Sequence, residues 1–408
     1  MRLARASLLY TLLTLCLLSG LSLSAQEAPL TIVGSHSIAA DVIARVAGDD
    51  AEVLSLIPRG SDPHSYQPTP AALRLLADAD LVFVNGANFE ESLLSVIGVA
   101  VEDDALFVIS ECVPVVPGGH THDHGEFGGH VHGEDEDDDH ADEDHVDEDD
   151  DHADEDHMDE DDDDHTDEDH EGEVHPEHEE DHFEMVIHED AEERCAQHDM
   201  ELGDRFLRLQ DDEASPGPLY VVDCEALGGC DPHFWMQPRN IAHWTLTVRD
   251  VLATHDSAHA EGYFERSEAY LHEIEALEQD ELLPLIATLP VELRLLVSHH
   301  LSLGYFAGTY GFAELGSVVP GRSTMAEPGV AELAALIDLV RERNLPAIFG
   351  ETTSSDDLIR QVAAETGATL VNLDMESLGE ESSAIGTWIG LMRSNVEAIV
   401  EALSDEMS

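Results

Sequence analysis

The segment from His120 to His182 is built almost entirely of Asp, Glu and His, and it constrains everything around it. It holds too few large apolar side chains to offset the entropy of ordering a backbone, so a disordered, solvated segment is expected there. Any folded core must come from the sequence on either side. The tract repeats itself: His140-Ala141-Asp142-Glu143-Asp144-His145 returns as His152-Ala153-Asp154-Glu155-Asp156-His157 and, more loosely, as His165-Thr166-Asp167-Glu168-Asp169-His170. Imidazoles paired among carboxylates form a loose multidentate ligand. Pure carboxylate would point to calcium, whereas the mixed donor set favours zinc, with nickel, copper or cobalt chemically competent. Metal association is therefore preferred over bare solvation, with His140, His145, His152, His157, His165 and His170 as accessory low-affinity ligands.

The 408-residue chain carries a formal net charge of −73, and all 17 of its basic residues are Arg. Nucleic acid is excluded as a partner, because phosphate contacts need cations. A divalent metal ion is the natural one. Arg2 and Arg5 precede an apolar run from Leu8 to Leu23, and Ser22, Ser24 and Ala25 offer small residues for cleavage. Residues 1–25 thus read as a secretory signal peptide, and the mature chain is expected to be soluble and periplasmic or extracytoplasmic. Lipidation of Cys16 is disfavoured, because Leu15 stands before it where a small residue is required. Export permits disulfides, and Cys112, Cys195, Cys224 and Cys230 allow three pairings. The preferred one joins Cys112 to Cys195 at the base of the acidic insertion and Cys224 to Cys230 around a small loop. A Cys-based zinc site is the rival, against which the spacings speak.

On both sides of the tract, short apolar strands alternate with amphipathic helices, the pattern of an α/β protein with parallel sheets. Strands are expected at Leu30–Gly34, Glu52–Ile57, Asp80–Asn85 and Leu106–Ser110, with helices at Ala39–Ala47 and Ala71–Ala77. Leu219–Val222 reads as a strand in a stretch that is otherwise hard to place. A helix is expected over Asn240–Ala253 and a long one over roughly Ser257–Leu283, with a stripe through Ala260, Tyr263, Tyr270, Leu271, Ile274 and Leu277. Beyond it come strands at Leu295–Ser298, Ser317–Val319, Ala347–Phe349 and Leu370–Leu373. Helices are expected from Ala326 to Arg343, over Asp356–Thr366 with Gly367 as the stop, and over Trp388–Leu403. The expected fold is α/β: two similar lobes, each a parallel sheet flanked by helices, joined by one long helix. The lobes would take residues 28–255, interrupted by the insertion at 118–190, and 289–408, with the connecting helix at 256–288.

Polar residues collect where strands end. His64, His300, Glu351 and Asp374 each follow an expected strand, and ligands of open α/β sheets bind outside the carboxyl ends of the strands. His233 follows a turn-rich loop and precedes a helix. Imidazoles with one carboxylate make a tetrahedral zinc site, and residues from both lobes would bury the ion at their seam. Each histidine alone reads equally as a cap or surface residue, so the set carries the inference. His36 is read as a loop histidine rather than a ligand.

Gly60–Pro70, Asp231–Pro238 and Ser298–Phe306 resemble the three histidine motifs of the periplasmic zinc-binding proteins of ABC transporters, the cluster A-I solute-binding family. The similarity extends through the long helix, Glu327-Pro328, Ile348–Glu351 and Met392–Asn395. A His-rich acidic loop before the second motif marks the zinc-specific members. The resemblance implies His64, His233 and His300 as metal ligands and Asp374 as the carboxylate ligand, with His299 as the alternative to His300. Glu351 is implied beside the site, orienting a ligating histidine. Met236-Gln237 departs from the Leu-Asp usual after the second motif's aromatic residue. The implied function is capture of Zn2+ between two lobes and delivery to a membrane permease by a monomer, with no enzymatic step. Manganese or broad divalent-metal binding is the alternative, a metal buffer a further one, and a zinc hydrolase using Glu351 as base the least favoured, since none of the expected helices carries a His-Glu-x-x-His motif.

Overall fold

The computed structural model describes residues 28–90, 92–115, 191–209 and 230–404. The expected signal peptide with Cys16, the acidic tract with its six accessory histidines, the expected strand at Leu219–Val222 and Cys224 lie outside them. The first sheet collects β1 (Leu30–Gly34), β2 (Ala51–Ser55), β3 (Leu81–Val84) and β4 (Leu106–Val108), with helices α1 (Ser37–Ala47), α2 (Pro70–Asp78) and α3 (Leu94–Ala100) between them. All pairings are parallel, in the order β2-β1-β3-β4. Parallel strands covered on both faces carry continuous apolar runs, and every residue of β3 is buried. In α1 the buried Ile38, Val42 and Val46 recur at helical spacing. Thr69 caps α2 by accepting from the Ala72 N–H, and Pro70 stands where no backbone donor is needed.

Next come α4 (Ala191–Leu202), α5 (Pro238–His255) and α6 (Ala260–Ala276), which runs through a π-helical turn (Leu277–Leu282) into α7 (Leu283–Ile286). From Ala260 to Ile286 this connecting helix reaches about 40 Å at 1.5 Å per residue, long enough to lie along both sheets. The second sheet contains β5 (Leu295–Ser298), β6 (Ala313–Ser317), β7 (Ala347–Glu351) and β8 (Thr369–Leu373). Its helices are α8 (Gly304–Tyr310), α9 (Val330–Arg343), α10 (Asp357–Thr366) and α11 (Trp388–Ser404). Its order, β6-β5-β7-β8, repeats that of the first sheet, again all parallel.

The strand expected at Ser317–Val319 forms instead at Ala313–Ser317. Glu314 and Gly316 conceal it in the sequence. The Glu314 carboxylate is satisfied inside, accepting from the Ser298 hydroxyl at 3.0 Å and the Leu303 N–H at 3.3 Å. The short α3 and α8 also escape the sequence pattern. Cys112 and Cys195 form the disulfide at the base of the insertion, and Cys230 is disulfide-bonded as well.

One apolar core runs through both halves, from Ile32 and Phe83 through Trp235, Trp244 and Leu271 to Phe349, Trp388 and Met392. A smaller cluster, including Val297, Ile337, Ile348 and Ile359, joins the second sheet to α9 and α10. The seam is pinned by two indoles: Trp235 Nε1 donates to the Met375 carbonyl and Trp388 Nε1 to the Trp235 carbonyl, both at 2.8 Å.

Candidate metal centre

Four buried side chains converge at the carboxyl ends of the strands: His64, His233, His300 and Glu376. Their donor atoms all lie within 4.8 Å of one another. His300 Nε2 and His233 Nε2 are 3.0 Å apart, and Glu376 Oε1 is 3.3 Å from each. His64 Nε2 is 3.9 Å from Glu376 Oε2. A tetrahedron with zinc bonds of about 2.0–2.1 Å has edges of about 3.3 Å, so the spacing suits such an ion. Both oxygens of Glu376 and both ring nitrogens of His64 are buried without a hydrogen-bond partner among the described residues. Buried polar atoms are normally satisfied, because each orphan costs roughly 1–3 kcal/mol. A divalent cation would satisfy the Glu376 oxygens and His64 Nε2 together.

Each of these side chains is placed by local structure. His64 sits in the loop after β2, where Asp62 Oδ1 accepts the His64 N–H at 2.9 Å, an Asx turn that aims the ring inward. His233 stands just before α5; Asp231 Oδ1 accepts its backbone N–H at 3.1 Å and lies 2.7 Å from its Nδ1. That contact holds Nδ1 as the protonated nitrogen and leaves Nε2 to face the cluster. Gly304 makes room, since a Cβ there would come within 2.5 Å of Asp231 Oδ2. His300 follows β5, and Glu351 at the end of β7 brings Oε1 to 2.5 Å from its Nδ1. Two of the three imidazoles thus carry a carboxylate on the far nitrogen. The Phe89 ring lies 5.0 Å from the His64 ring, and the Trp235 ring 5.5 Å from the His233 ring.

Burial alone would discharge His233, but the carboxylates of Glu376 and Asp231 outweigh it and push its pKa up to about 9. His300 is raised too, Glu351 and Glu376 overcoming burial. Burial holds His64 down to about 4, with Glu376 only partly offsetting it. Glu376 is burdened by burial, yet His233 and His300 hold it well below the ordinary carboxylate range. A site of this kind holds protons until a cation displaces them.

Of the residues singled out in the sequence, His64, His233 and His300 come together. Asp374 does not join them. Just past β8, its Oδ1 accepts from the Thr352 hydroxyl at 2.8 Å, and its backbone is clamped by Asn395. The chain then turns, and Glu376 is the carboxylate that enters the cluster. His299 lies apart from it, its Nδ1 3.6 Å from Glu351 Oε2. Those two form a second donor group only by sharing His300. His36 is buried against Phe89, Trp235 and Trp244, and burial lowers its pKa to about 3. Asp231 was missed, although Asp-Pro-His occurs twice, at 62–64 and 231–233, which is a usable signal.

The chain matches the family described as zinc-uptake complex component A, periplasmic, over residues 32–402. It is 23% identical over 379 residues to the manganese-binding lipoprotein MntA of Halalkalibacterium halodurans, covering 92% of this chain and 89% of the relative. It is 27% identical over 180 residues to the zinc-binding protein TroA of Treponema pallidum, 43% of this chain and 58% of that one. The fold superposes on the structure of the periplasmic zinc-binding protein TroA with a TM-score of 0.62 at 19% identity, covering 92% of this chain and 99% of TroA. The manganese-bound periplasmic metal-binding protein of Candidatus Liberibacter asiaticus gives 0.58 at 19% identity, with the same coverage.

Proposed function

Because the chain belongs to the family of periplasmic zinc-uptake component A proteins, metal-binding substrate-binding subunits of ABC transporters, we propose that it captures Zn2+ through His64, His233, His300 and Glu376. It then delivers the ion, as a monomer, to a membrane permease. The observation that carries this reading is the buried cluster of three imidazoles and one carboxylate whose donor atoms lie within 4.8 Å of one another, those of His64 and Glu376 without hydrogen-bond partners among the described residues. Three nitrogens favour zinc over manganese, which prefers oxygen donors. Four protein donors also leave no open position for a reacting water, which argues against a hydrolase. The core shared by both halves resists wide hinge opening, so release would follow small shifts that spoil ligand geometry. Among the described residues no helix is long and apolar enough to cross a membrane. The acidic His-rich tract would gather metal weakly beside the tight site.

Binding of manganese, or of divalent metals broadly, is the second reading, favoured by the manganese named in several relatives. Competition titration of metal-free protein separates the two. Zn2+ is expected to bind at least about 100-fold more tightly than Mn2+, and His300→Ala to weaken Zn2+ by about 100-fold or more, since even supporting residues are worth 10–100-fold. Equal affinities would favour the broad reading; unchanged Zn2+ affinity in His300→Ala would remove the ligand assignment.

A further inference from the structure

Glu376 is the carboxylate of the cluster, and its side chain reaches only other cluster members, Oε1 lying 3.3 Å from His233 Nε2 and from His300 Nε2. No residue outside the cluster holds either carboxylate oxygen by a hydrogen bond among the described residues, so beyond the three histidines its position is set by its backbone. That backbone follows β8 of the second sheet, yet its neighbours are tied to the first half of the chain. Ser377 Oγ accepts the Gly60 N–H at 2.8 Å and shares a hydrogen bond with Ser37 Oγ at 3.1 Å. Ser37, in the first turn of α1, in turn accepts the Leu378 N–H at 2.9 Å. Arg59 reaches the carbonyls of Gly379 at 3.0 Å and Gly386 at 2.9 Å. Asp41 on α1 accepts the Trp388 N–H at 2.9 Å.

Both hydroxyls are buried, Ser37 to 2% exposure and Ser377 to 4%. Gly60 opens the loop that carries His64, and Ser377 follows Glu376 directly. One hydroxyl therefore touches the backbones that carry two donors drawn from opposite halves of the molecule. From this geometry we infer that Ser377 and Ser37 form a latch that positions Glu376 against His64, so that the stability of the metal complex is set partly by a hydroxyl pair that never contacts the ion. The inference rests on the metal-binding reading of the cluster.

With the latch intact, the His64 loop and the Glu376 loop move as one piece and the ion keeps both donors. Without it, Gly60 N–H and the Ser37 hydroxyl lose a buried partner, and Glu376 gains freedom it cannot offset through its own side chain. The expected effect is on release, since weakened positioning shows mainly in dissociation.

The test is Zn2+ dissociation into excess chelator, followed by stopped flow, for full-length wild type, Ser377→Ala, Ser37→Ala and the double variant. Each single variant is expected to release Zn2+ about tenfold faster. The double variant should be no faster than about either single one, because both remove the same contact. Thermal unfolding of the metal-free proteins runs in parallel, since a merely structural effect would shift that transition and leave the release rates alike. Release within twofold of wild type in both single variants, or strictly multiplicative effects, would overturn the latch. Absence of tight Zn2+ binding by the wild type would instead remove the reading on which it rests.

Discussion

The His64 and Glu376 atoms that lack hydrogen-bond partners cost free energy in the metal-free protein, and a cation held by His64 Nε2 and Glu376 would recover part of that cost. Glu376 and Asp374 lie two positions apart on the same strand exit, so residue type and spacing could not choose between them. The choice is made by Thr352 and Asn395, which hold Asp374, and by the turn that follows. None of these contacts is local in sequence, which is why the resemblance pointed to Asp374 and not to the carboxylate that enters the cluster. The histidines were legible because each stands in a turn-rich motif beside a strand end or helix start. Glu376→Ala is expected to weaken Zn2+ binding by about 100-fold or more, whereas Asp374→Ala should stay within about twofold, as measured by chelator competition. The reverse ranking would restore Asp374 as the ligand.

Among the elements, the connecting helix carries an irregularity that periodicity did not reveal. Its apolar stripe is continuous through Leu277, but the backbone widens into a π turn over Leu277–Leu282. Such bulges shift the register of a helix face locally. Here the turn contains the buried Glu278, which accepts from the Tyr310 hydroxyl at 3.2 Å and the Leu207 N–H at 3.0 Å. Burial pushes the Glu278 pKa up to about 7, with Arg239 and these hydrogen bonds only partly opposing it. A carboxyl whose folded pKa lies above its unfolded value destabilises the fold as it ionises. Its contribution is therefore lost as pH rises from about 4.5 to about 7 and is constant above that. Chemical denaturation of metal-free Glu278→Gln is expected to lack this decline, amounting to roughly 3–4 kcal/mol in the wild type. An identical pH profile in the two proteins would show that the Glu278 pKa does not differ between the folded and unfolded states. The strand-helix alternation was readable because parallel strands and covering helices must bury opposite apolar patterns. The exceptions, β6 and the π turn, are places where a buried polar side chain is satisfied by contacts from other elements.

At the scale of the molecule, two sheets of the same strand order share one core. The repeated order brings the carboxyl ends of β2, β5, β7 and β8 to a common seam, so donors far apart in sequence meet. The doubling of α/β units was evident from the chain. The meeting of His64 with Glu376 was not, because it depends on contacts between halves. The acidic tract, for all its histidines, would give weak binding, since neighbouring carboxylates favour protonated imidazole and protons then compete with metal. Tight binding is what we propose for the seam. X-ray absorption at the zinc edge, on protein lacking residues 118–190 and loaded with one equivalent of Zn2+, tests this most directly. The expected spectrum is four nitrogen or oxygen neighbours at about 2.0–2.1 Å with the scattering signature of three imidazoles. A six-coordinate oxygen shell, or loss of tight stoichiometric binding once the tract is removed, would show that the seam is not the zinc site.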